Sequence, residues 1–161
     1  GAGPNPQGRD CMLTRADFAG VWDLRRQIDD RLGMQTGIFD GTATLSNNAD
    51  GGLTYDEKGT MRLGDGPAMT AERRYRWAFG PDHIDVTFAD GAPFHRFTPA
   101  GHVAGTDHPC GADFYTVRYD FTAWPAWSAV WTVTGPRKDY VSTSVYTLAP
   151  RSSIGNKTST Q

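Results

Sequence analysis

The chain has little cysteine, little net charge and no long apolar run. Its 161 residues include two cysteines, Cys11 and Cys110, so we expect no disulfide framework and a reducing compartment. No apolar run approaches the roughly 18–20 residues that cross a bilayer. Sixteen Lys and Arg against 18 Asp and Glu give a net charge of −2, which offers no basic excess for nucleic-acid phosphates. The sequence therefore predicts a cytoplasmic protein that binds neither nucleic acid nor membranes.

Helical periodicity is also scarce. Residues 13–18 form the one short helix candidate, with Thr14 as its N-cap. No long amphipathic segment remains for a βαβ unit, which excludes Rossmann and TIM-barrel folds. Elsewhere apolar and polar residues alternate with a period of two, as in half-buried strands. The alternating runs cover residues 21–30, 38–45, 73–79, 84–88, 115–121, 127–133 and 138–148.

Turn-forming residues separate these runs at intervals of about 8–12 residues, which is typical of a sandwich or barrel. A meander of hairpins with one apolar face closes naturally into a barrel without edges. Gly20-Val21-Trp22 resembles the Gly-x-Trp signature of lipocalin-like barrels. The sequence therefore predicts an all-β, lipocalin-like, up-and-down antiparallel barrel of about 8–10 strands with a short N-terminal helical turn. We expect the barrel domain over residues 13–149, a leader that is a tag or disordered over 1–12, and a polar tail over 150–161.

Three charged residues, Arg26, Arg73 and Asp113, fall in phase with apolar neighbours on their strands and are therefore predicted to face inward. A buried charge without a partner is costly, so these side chains should pair with each other or with a ligand. One interpretation is a structural network that closes one end of the barrel. The other is a polar cluster at the base of an aromatic pocket, with two arginines for a carboxylate or phosphate. Arg26 and Asp113 lie on strands near opposite ends of the chain, which an up-and-down barrel brings together. The two side chains can therefore be close, and they either pair inside the barrel or bind the ligand.

The densest chemical segment spans residues 105–115 and contains His108, Cys110 and Tyr115. The His-x-Cys spacing lacks the further ligands that a structural zinc site needs, so no metal is predicted. His108 and Cys110 also suit covalent catalysis, because a neighbouring imidazolium activates a thiol as a nucleophile. The alternative is an inert structural cysteine, and in both cases we expect a free thiol that is not bonded to Cys11.

Three short segments carry a family resemblance, and in chain order they are Arg26-Gln27-Ile28, Cys110-Gly111-Ala112-Asp113-Phe114-Tyr115 and Gly135-Pro136-Arg137-Lys138. In this order and spacing they resemble the family known as domain of unknown function 6314, over residues 18–149. The resemblance implies a grouping and no particular activity. It also implies that five residues form one constellation, namely Arg26, Cys110, Asp113, Tyr115 and Lys138.

The pattern favours a protein that binds a small apolar ligand with an anionic or polar group inside the barrel. The predicted ligand-binding residues are Arg26, Arg73, Asp113, Tyr115, Lys138, Trp22, Tyr75, Trp77, Phe88 and Trp131. The alternative is an enzyme without cofactor, such as a lyase, isomerase or hydrolase, that uses the same cavity. Its candidate catalytic residues are Tyr115, His95 and Cys110. A third hypothesis is an interaction domain whose cavity is filled by side chains. We expect a small-molecule partner and no cofactor.

Overall fold

A computed structural model describes residues 12–150 of the chain. One helical turn, α1 (Arg15–Phe18), precedes the strands. Thr14 caps it as predicted, because its side chain accepts from the backbone N–H of Asp17 while the Asp17 carboxylate accepts from the backbone N–H of Thr14. The strands are β1 Gly20–Asp30, β2 Gln35–Asn47, β3 Leu53–Leu63, β4 Met69–Phe79, β5 Ile84–Phe88, β6 Pro93–Phe97, β7 His102–Ala104, β8 His108–Cys110, β9 Asp113–Asp120, β10 Trp127–Gly135 and β11 Lys138–Leu148.

The strands form one antiparallel sheet in the order β6-β5-β4-β3-β2-β1-β11-β10-β9-β7, and β8 also pairs with β9. Because β7 and β8 pair with opposite ends of β9, together they occupy one place in the ring. The segment between them joins the two edges, since the backbone N–H of Thr106 donates to the carbonyl of Arg96 on β6 and that of Gly105 donates to Val117 on β9. The result is the predicted lipocalin-like barrel, with ten strands and nearly closed.

A pair of glycines lets β2 and β3 approach closely within this ring. Gly41 and Gly59 lie directly opposite each other in the antiparallel register. A Cβ on Gly41 would overlap the carbonyl of Lys58, and a Cβ on Gly59 would overlap the carbonyl of Asp40. Larger residues at either position would therefore push the strands apart at a point where long strands need to bend around the core.

An aromatic cluster fills the end of the barrel next to α1, which we call the closed end. Phe18 is fully buried there, and its ring makes edge contacts with Trp77, Trp124 and Trp127 at centroid distances of 5.2–5.5 Å. The indole Nε1 of Trp22 donates to the carbonyl of Phe18 at 2.9 Å. This packing ties the helical turn to the first strand and closes one end of the barrel with aromatic side chains.

The opposite end, which we call the mouth, carries the hairpins β1–β2, β3–β4, β5–β6, β8–β9 and β10–β11. Along β1, Trp22, Leu24 and Arg26 all point inward and are buried, which confirms the alternation predicted for this strand. No helix within residues 12–150 is long and apolar enough to cross a membrane. The predicted leader and tail lie outside the described residues except for residues 12 and 150, and so does Cys11.

Candidate functional site

A cavity of about 180 Å³ lies inside the barrel, between the closed end and the mouth. Aromatic side chains form much of its wall, including Tyr55, Tyr75, Trp77, Tyr119, Trp131 and Tyr140. The antiparallel strands place these side chains because every second residue points inward. A mostly apolar wall with a few polar groups at defined positions is the usual composition of a small-molecule site.

A buried ion pair crosses one side of this cavity. The guanidinium of Arg26 on β1 contacts the carboxylate of Glu57 on β3 with two bonds, Nη1–Oε2 at 2.7 Å and Nη2–Oε1 at 2.9 Å. Arg26 Nε donates to Oγ of Ser144 at 2.7 Å, and the guanidinium carbon lies 5.3 Å from the ring centre of Phe39. The guanidinium of Arg26 therefore makes its bidentate contact with a carboxylate of the protein itself.

Two tyrosines extend this pair toward the closed end. The hydroxyl of Tyr55 donates to Glu57 Oε1 at 2.7 Å, and the hydroxyls of Tyr55 and Tyr146 lie 2.7 Å apart. Burial alone would raise the pKa of Glu57, but the hydrogen bond and charge of Arg26, with the Tyr55 bond, outweigh it and lower the pKa. Burial raises the pKa of Tyr146 to about 12, so both tyrosines keep their protons and act as donors.

Arg73 on β4 supplies a second positive charge to the same carboxylate. Its Nε lies 4.0 Å from Glu57 Oε2, and its side chain is 56% exposed, so it reaches the mouth. Among the described residues that line the cavity, Arg26 and Arg73 thus face the single carboxylate of Glu57. One positive charge is left over, and it belongs to the accessible guanidinium of Arg73.

A second polar cluster ties two hairpins together at the mouth. Lys138 Nζ donates to the hydroxyl of Tyr115 at 3.0 Å and lies 3.2 Å from Asp113 Oδ2. These two partners, the Tyr115 hydrogen bond first, raise the pKa of Lys138. Gly135 makes room for the cluster, because a Cβ there would overlap the Asp113 carboxylate. Lys138 and Asp113 neutralise each other, so this cluster positions Tyr115 in the cavity wall without adding net charge.

His95 on β6 is the buried histidine of the site. Its Nε2 lies 2.8 Å from the hydroxyl of Tyr119, and its ring packs edge-on against Trp131 at 4.8 Å. Burial, followed by the charge of nearby His108, lowers the pKa of His95 to about 3, so the ring is neutral at pH 7. Its Nδ1 is buried and, within residues 12–150, has no hydrogen-bond partner.

The structure brings together some of the predicted site residues and not others. Those that line the cavity are Arg26, Arg73, Tyr75, Trp77, His95, Tyr115 and Trp131. Trp22 lies in the closed-end cluster, and Phe88 packs behind Tyr75 and Phe94 instead of lining the cavity. Asp113 and Lys138 lie at the mouth next to the wall. Cys110 is an exposed free cysteine on β8 and does not line the cavity.

The interpretation in which Arg26 and Asp113 pair with each other inside the barrel is wrong. Arg26 lies in the middle of β1 and reaches across to Glu57, whereas Asp113 begins β9 at the mouth and pairs with Lys138. Both residues lie on the inward face of their strands, as the alternation predicted. Alternation does not, however, specify how high along the barrel axis each residue lies. In a ten-stranded ring, β9 is also separated from β1 by β10 and β11.

Sequence reasoning missed Glu57, Tyr55, Ser144 and Tyr146. A signal for Glu57 was present, because Leu53, Tyr55 and Glu57 alternate in phase and make it the inward carboxylate of β3. The two β11 residues alternate in the same way within a strand that was recognised only by its composition. Within the described range, no group of three or more His, Cys, Asp or Glu side chains is arranged to hold a metal ion.

These features define a ten-stranded, up-and-down, lipocalin-like barrel with a polar site inside an aromatic cavity. The chain belongs to the family described as "Family of unknown function (DUF6314)", whose model matches residues 18–148. No curated protein matches it significantly.

Two solved structures share the fold at low sequence identity. One is the S-type phycobiliprotein lyase of Guillardia theta, with 8% identity, a TM-score of 0.59, and coverage of 84% of this chain and 90% of that one. The other is a protein of unknown function from the DUF3598 family of Nostoc punctiforme, with 11% identity and a TM-score of 0.53. The match to the Nostoc protein covers 84% of this chain and 48% of that longer chain. At these identities the likeness shows the fold alone.

Proposed function

We propose that this protein binds a small, largely aromatic compound with an anionic group inside the barrel. The observation that carries the proposal is the internal cavity itself, which combines aromatic walls with a surplus positive charge at Arg73. The chain as a whole is net negative, so this local positive charge is not a reflection of its composition. A ligand whose ring fills the cavity and whose anion reaches the mouth would complement both features.

The anionic group belongs at Arg73 and not at Arg26. Both guanidinium ends of Arg26 already bind Glu57, so an incoming carboxylate would have to displace a paired, buried carboxylate. Arg73 is half exposed, and its contact with Glu57, at 4.0 Å, is a long one. It can therefore turn toward a ligand at low cost, with Tyr75 and Tyr140 lining the cavity beside it.

The size of the cavity limits the size of the ligand. An engineered cavity of about 150 Å³ in another protein holds benzene. A cavity of about 180 Å³ is therefore suited to one aromatic ring with a short substituent. Larger ligands would require the walls to move.

The enzyme alternative receives less support from the site. A general acid or base works best with a pKa near the working pH. The pKa of His95 is about 3, which makes it a weak base, and burial raises the pKa values of Tyr55, Tyr119 and Tyr146. Cys110 lies outside the cavity. Tyr115 lines the cavity, but its hydroxyl is bonded to Lys138. The site therefore supports binding better than acid–base catalysis.

Calorimetric titration with benzoate tests the proposal, with uncharged benzamide as the matched ring. We expect benzoate to bind more tightly than benzamide. Arg73→Gln should weaken benzoate binding about threefold to tenfold, as expected for a half-exposed charged hydrogen bond, and leave benzamide unchanged.

Arg76→Gln is the matched control, because Arg76 is an exposed arginine on the outer face of the same strand. It should leave both affinities unchanged. Equal effects of Arg73→Gln and Arg76→Gln would overturn the assignment of the anion to Arg73. Absence of binding by both compounds would overturn the proposed ligand class.

A further inference from the structure

Three donor groups approach the mouth of the cavity from different sides. They are the guanidinium of Arg73 on β4 and the hydroxyls of Tyr115 on β9 and Tyr140 on β11, and all three residues line the cavity. Around the ten places of the ring, β4 and β11 lie four places apart, β11 and β9 two places, and β9 and β4 four places. The three side chains therefore surround the mouth instead of sharing one strand.

None of these three side chains is enclosed by the protein. The Arg73 side chain is 56% exposed, and Tyr115 and Tyr140 are half-buried. Burial, followed by the neighbouring Tyr115, raises the pKa of Tyr140. The positive charges of Arg73 and Lys138 oppose this rise, so they lie near enough to act on the same hydroxyl. Tyr140 therefore keeps its proton at pH 7 and can donate it.

The cluster offers more protons than it can accept. A guanidinium has donors only, and the contact of Arg73 with Glu57, at 4.0 Å, is longer than a hydrogen bond. Lys138 Nζ donates to the Tyr115 hydroxyl at 3.0 Å and cannot accept in return, so this bond leaves the Tyr115 proton unused. A bond between Tyr115 and Tyr140 would use one of their two protons and leave the other. The donors of Arg73 and a phenol proton thus remain for a ligand.

The charges around the cavity limit the charge of the ligand. Arg26 and Arg73 face the single carboxylate of Glu57, which leaves one positive charge over. Lys138 and Asp113 lie 3.2 Å apart and neutralise each other. A ligand with one negative charge balances this surplus. A second negative charge on the ligand would have no counter-charge in a partly desolvated site.

We propose that the anionic group of the natural ligand is a singly charged SO₃⁻ group, as in an aryl sulfonate or an aryl sulfate ester, held by Arg73 with Tyr115 and Tyr140. The three oxygens of such a group point in three directions, as the three donors do. Both oxygens of a carboxylate lie in one plane, and a single guanidinium can pair with them. This inference rests on the proposed function and narrows its ligand class. It adds the two tyrosines to Arg73 as residues that select the anion.

Three probes that share a phenyl ring test the assignment by calorimetric titration of the wild-type protein, which does not depend on the folding of any variant. Benzenesulfonate and benzoate have the same charge and differ in the number of oxygens. Phenylphosphonate at about pH 8.5 has three oxygens and a second negative charge. We expect benzenesulfonate to bind at least about threefold more tightly than either of the others. A smaller or reversed preference over either comparison probe would overturn the assignment.

Tyr140→Phe and Tyr115→Phe test the two phenols, because each removes one hydroxyl and keeps the ring. In each variant, the preference for benzenesulfonate over benzoate should fall by about threefold to tenfold. Thr143→Val is the matched control. It also removes one hydroxyl from β11, at a position between Ser142 and Ser144 that does not line the cavity. It should leave the preference at its wild-type value.

The outcomes separate this inference from the proposed function. A preference that is unchanged in one tyrosine variant would overturn the role of that tyrosine, and unchanged values in both would overturn the inference. Binding of benzoate without binding of benzenesulfonate would also overturn the inference, while the proposed function would stand. Failure of both compounds to bind the wild-type protein would instead count against the proposed function.

Discussion

The closed end and the middle of the barrel differ in how their interior is filled, although one alternating pattern builds both. At the closed end, Phe18 and Trp22 pack among aromatic rings, and the indole N–H of Trp22 is bonded to a backbone carbonyl. In the middle, Arg26 and Glu57 are buried as a pair, and His95 keeps a nitrogen without a partner among the described residues. The closed end is filled by aromatic rings packed against each other, whereas the middle region buries charged groups around a cavity.

This difference separates a region whose burial stabilises the fold from a region whose buried charges do little for stability. Apolar burial stabilises a fold directly, whereas a buried ion pair loses solvation energy that its attraction only partly repays. A barrel that needed only stability would do as well with apolar residues at positions 26 and 57. Under the proposed function, the buried pair shapes the wall of the cavity and leaves Arg73 as its surplus charge, while the closed end supplies the rigid base.

The largest expected effect is at the closed end. Trp22→Ala removes a large buried ring and leaves the Phe18 carbonyl without its indole donor. We expect a loss of about 4–5 kcal/mol in the free energy of unfolding, at the upper end of the range for large-to-small core changes. Denaturant unfolding measures it. A loss below about 1 kcal/mol would show that this cluster is not the stabilising base.

Removing one member of the ion pair should cost slightly less, and by unequal amounts for the two members. Glu57→Leu leaves Arg26 buried without a counter-charge and should cost about 3–4 kcal/mol. Arg26→Met should cost less, because Arg73 lies only 4.0 Å from Glu57 and can move to replace the lost partner. The double variant should lose much less than the sum of the two single losses. Denaturant unfolding of all three variants measures the coupling.

Additive losses in the double variant would contradict this description of the ion pair. A larger loss for Arg26→Met than for Glu57→Leu would contradict the supporting role of Arg73.

The pH dependence of stability should report on His95. Its pKa is lowered from 6.5 to about 3 in the folded protein, so the unfolded chain binds the extra proton first as the pH falls. The contribution of the neutral ring is complete above pH 6.5 and is lost progressively toward pH 3. Each unit below pH 6.5 should cost at most about 1.4 kcal/mol, or about 2 kcal/mol by pH 5.

Urea unfolding at pH 7, 6 and 5 measures this slope, in a window above pH 4.5, where the lowered pKa of Glu57 does not yet contribute. His95→Gln should flatten it, while His102→Gln, at an exposed histidine, should not. A slope that survives in His95→Gln would assign the dependence to another group.

The smallest expected effect is on the outer face. Arg25 pairs with Asp40 at 3.0 Å, but its side chain is 67% exposed. Arg25→Gln should therefore change the free energy of unfolding by less than about 0.5 kcal/mol, although it breaks an ion pair one residue away from Arg26. Matched unfolding curves of Arg25→Gln and Arg26→Gln measure the contrast. Similar losses in the two variants would mean that burial does not distinguish the pairs.

The fold could be predicted largely from the sequence because alternation and turn chemistry are local properties. The period of two in β1, β4 and β10 identified both the strands and their inward faces. The capped turn at Thr14 was also readable, since capping depends on residues three apart. β3 was overlooked because its second half carries little apolar alternation.

The site could be predicted only in part. Phase placed Arg26 and Arg73 inward, but it contains no information on which inward residue of another strand lies at the same height. That depends on register and strand tilt, which set Arg26 opposite Glu57 and left Asp113 with Lys138. The unpartnered nitrogen of His95 depends on the packing of several strands together and has no sequence signature.

Calorimetry with a blocked cavity tests the central claim, that the interior of the barrel is a binding site, most directly. Ala129 lines the cavity, and Ser128 next to it points to the opposite face of β10. Ala129→Leu should fill the cavity and weaken benzoate binding by about tenfold or more, without lowering the thermal midpoint. Ser128→Leu should bind benzoate like the wild-type protein. Wild-type affinity in Ala129→Leu, or equal weakening in both variants, would contradict the claim.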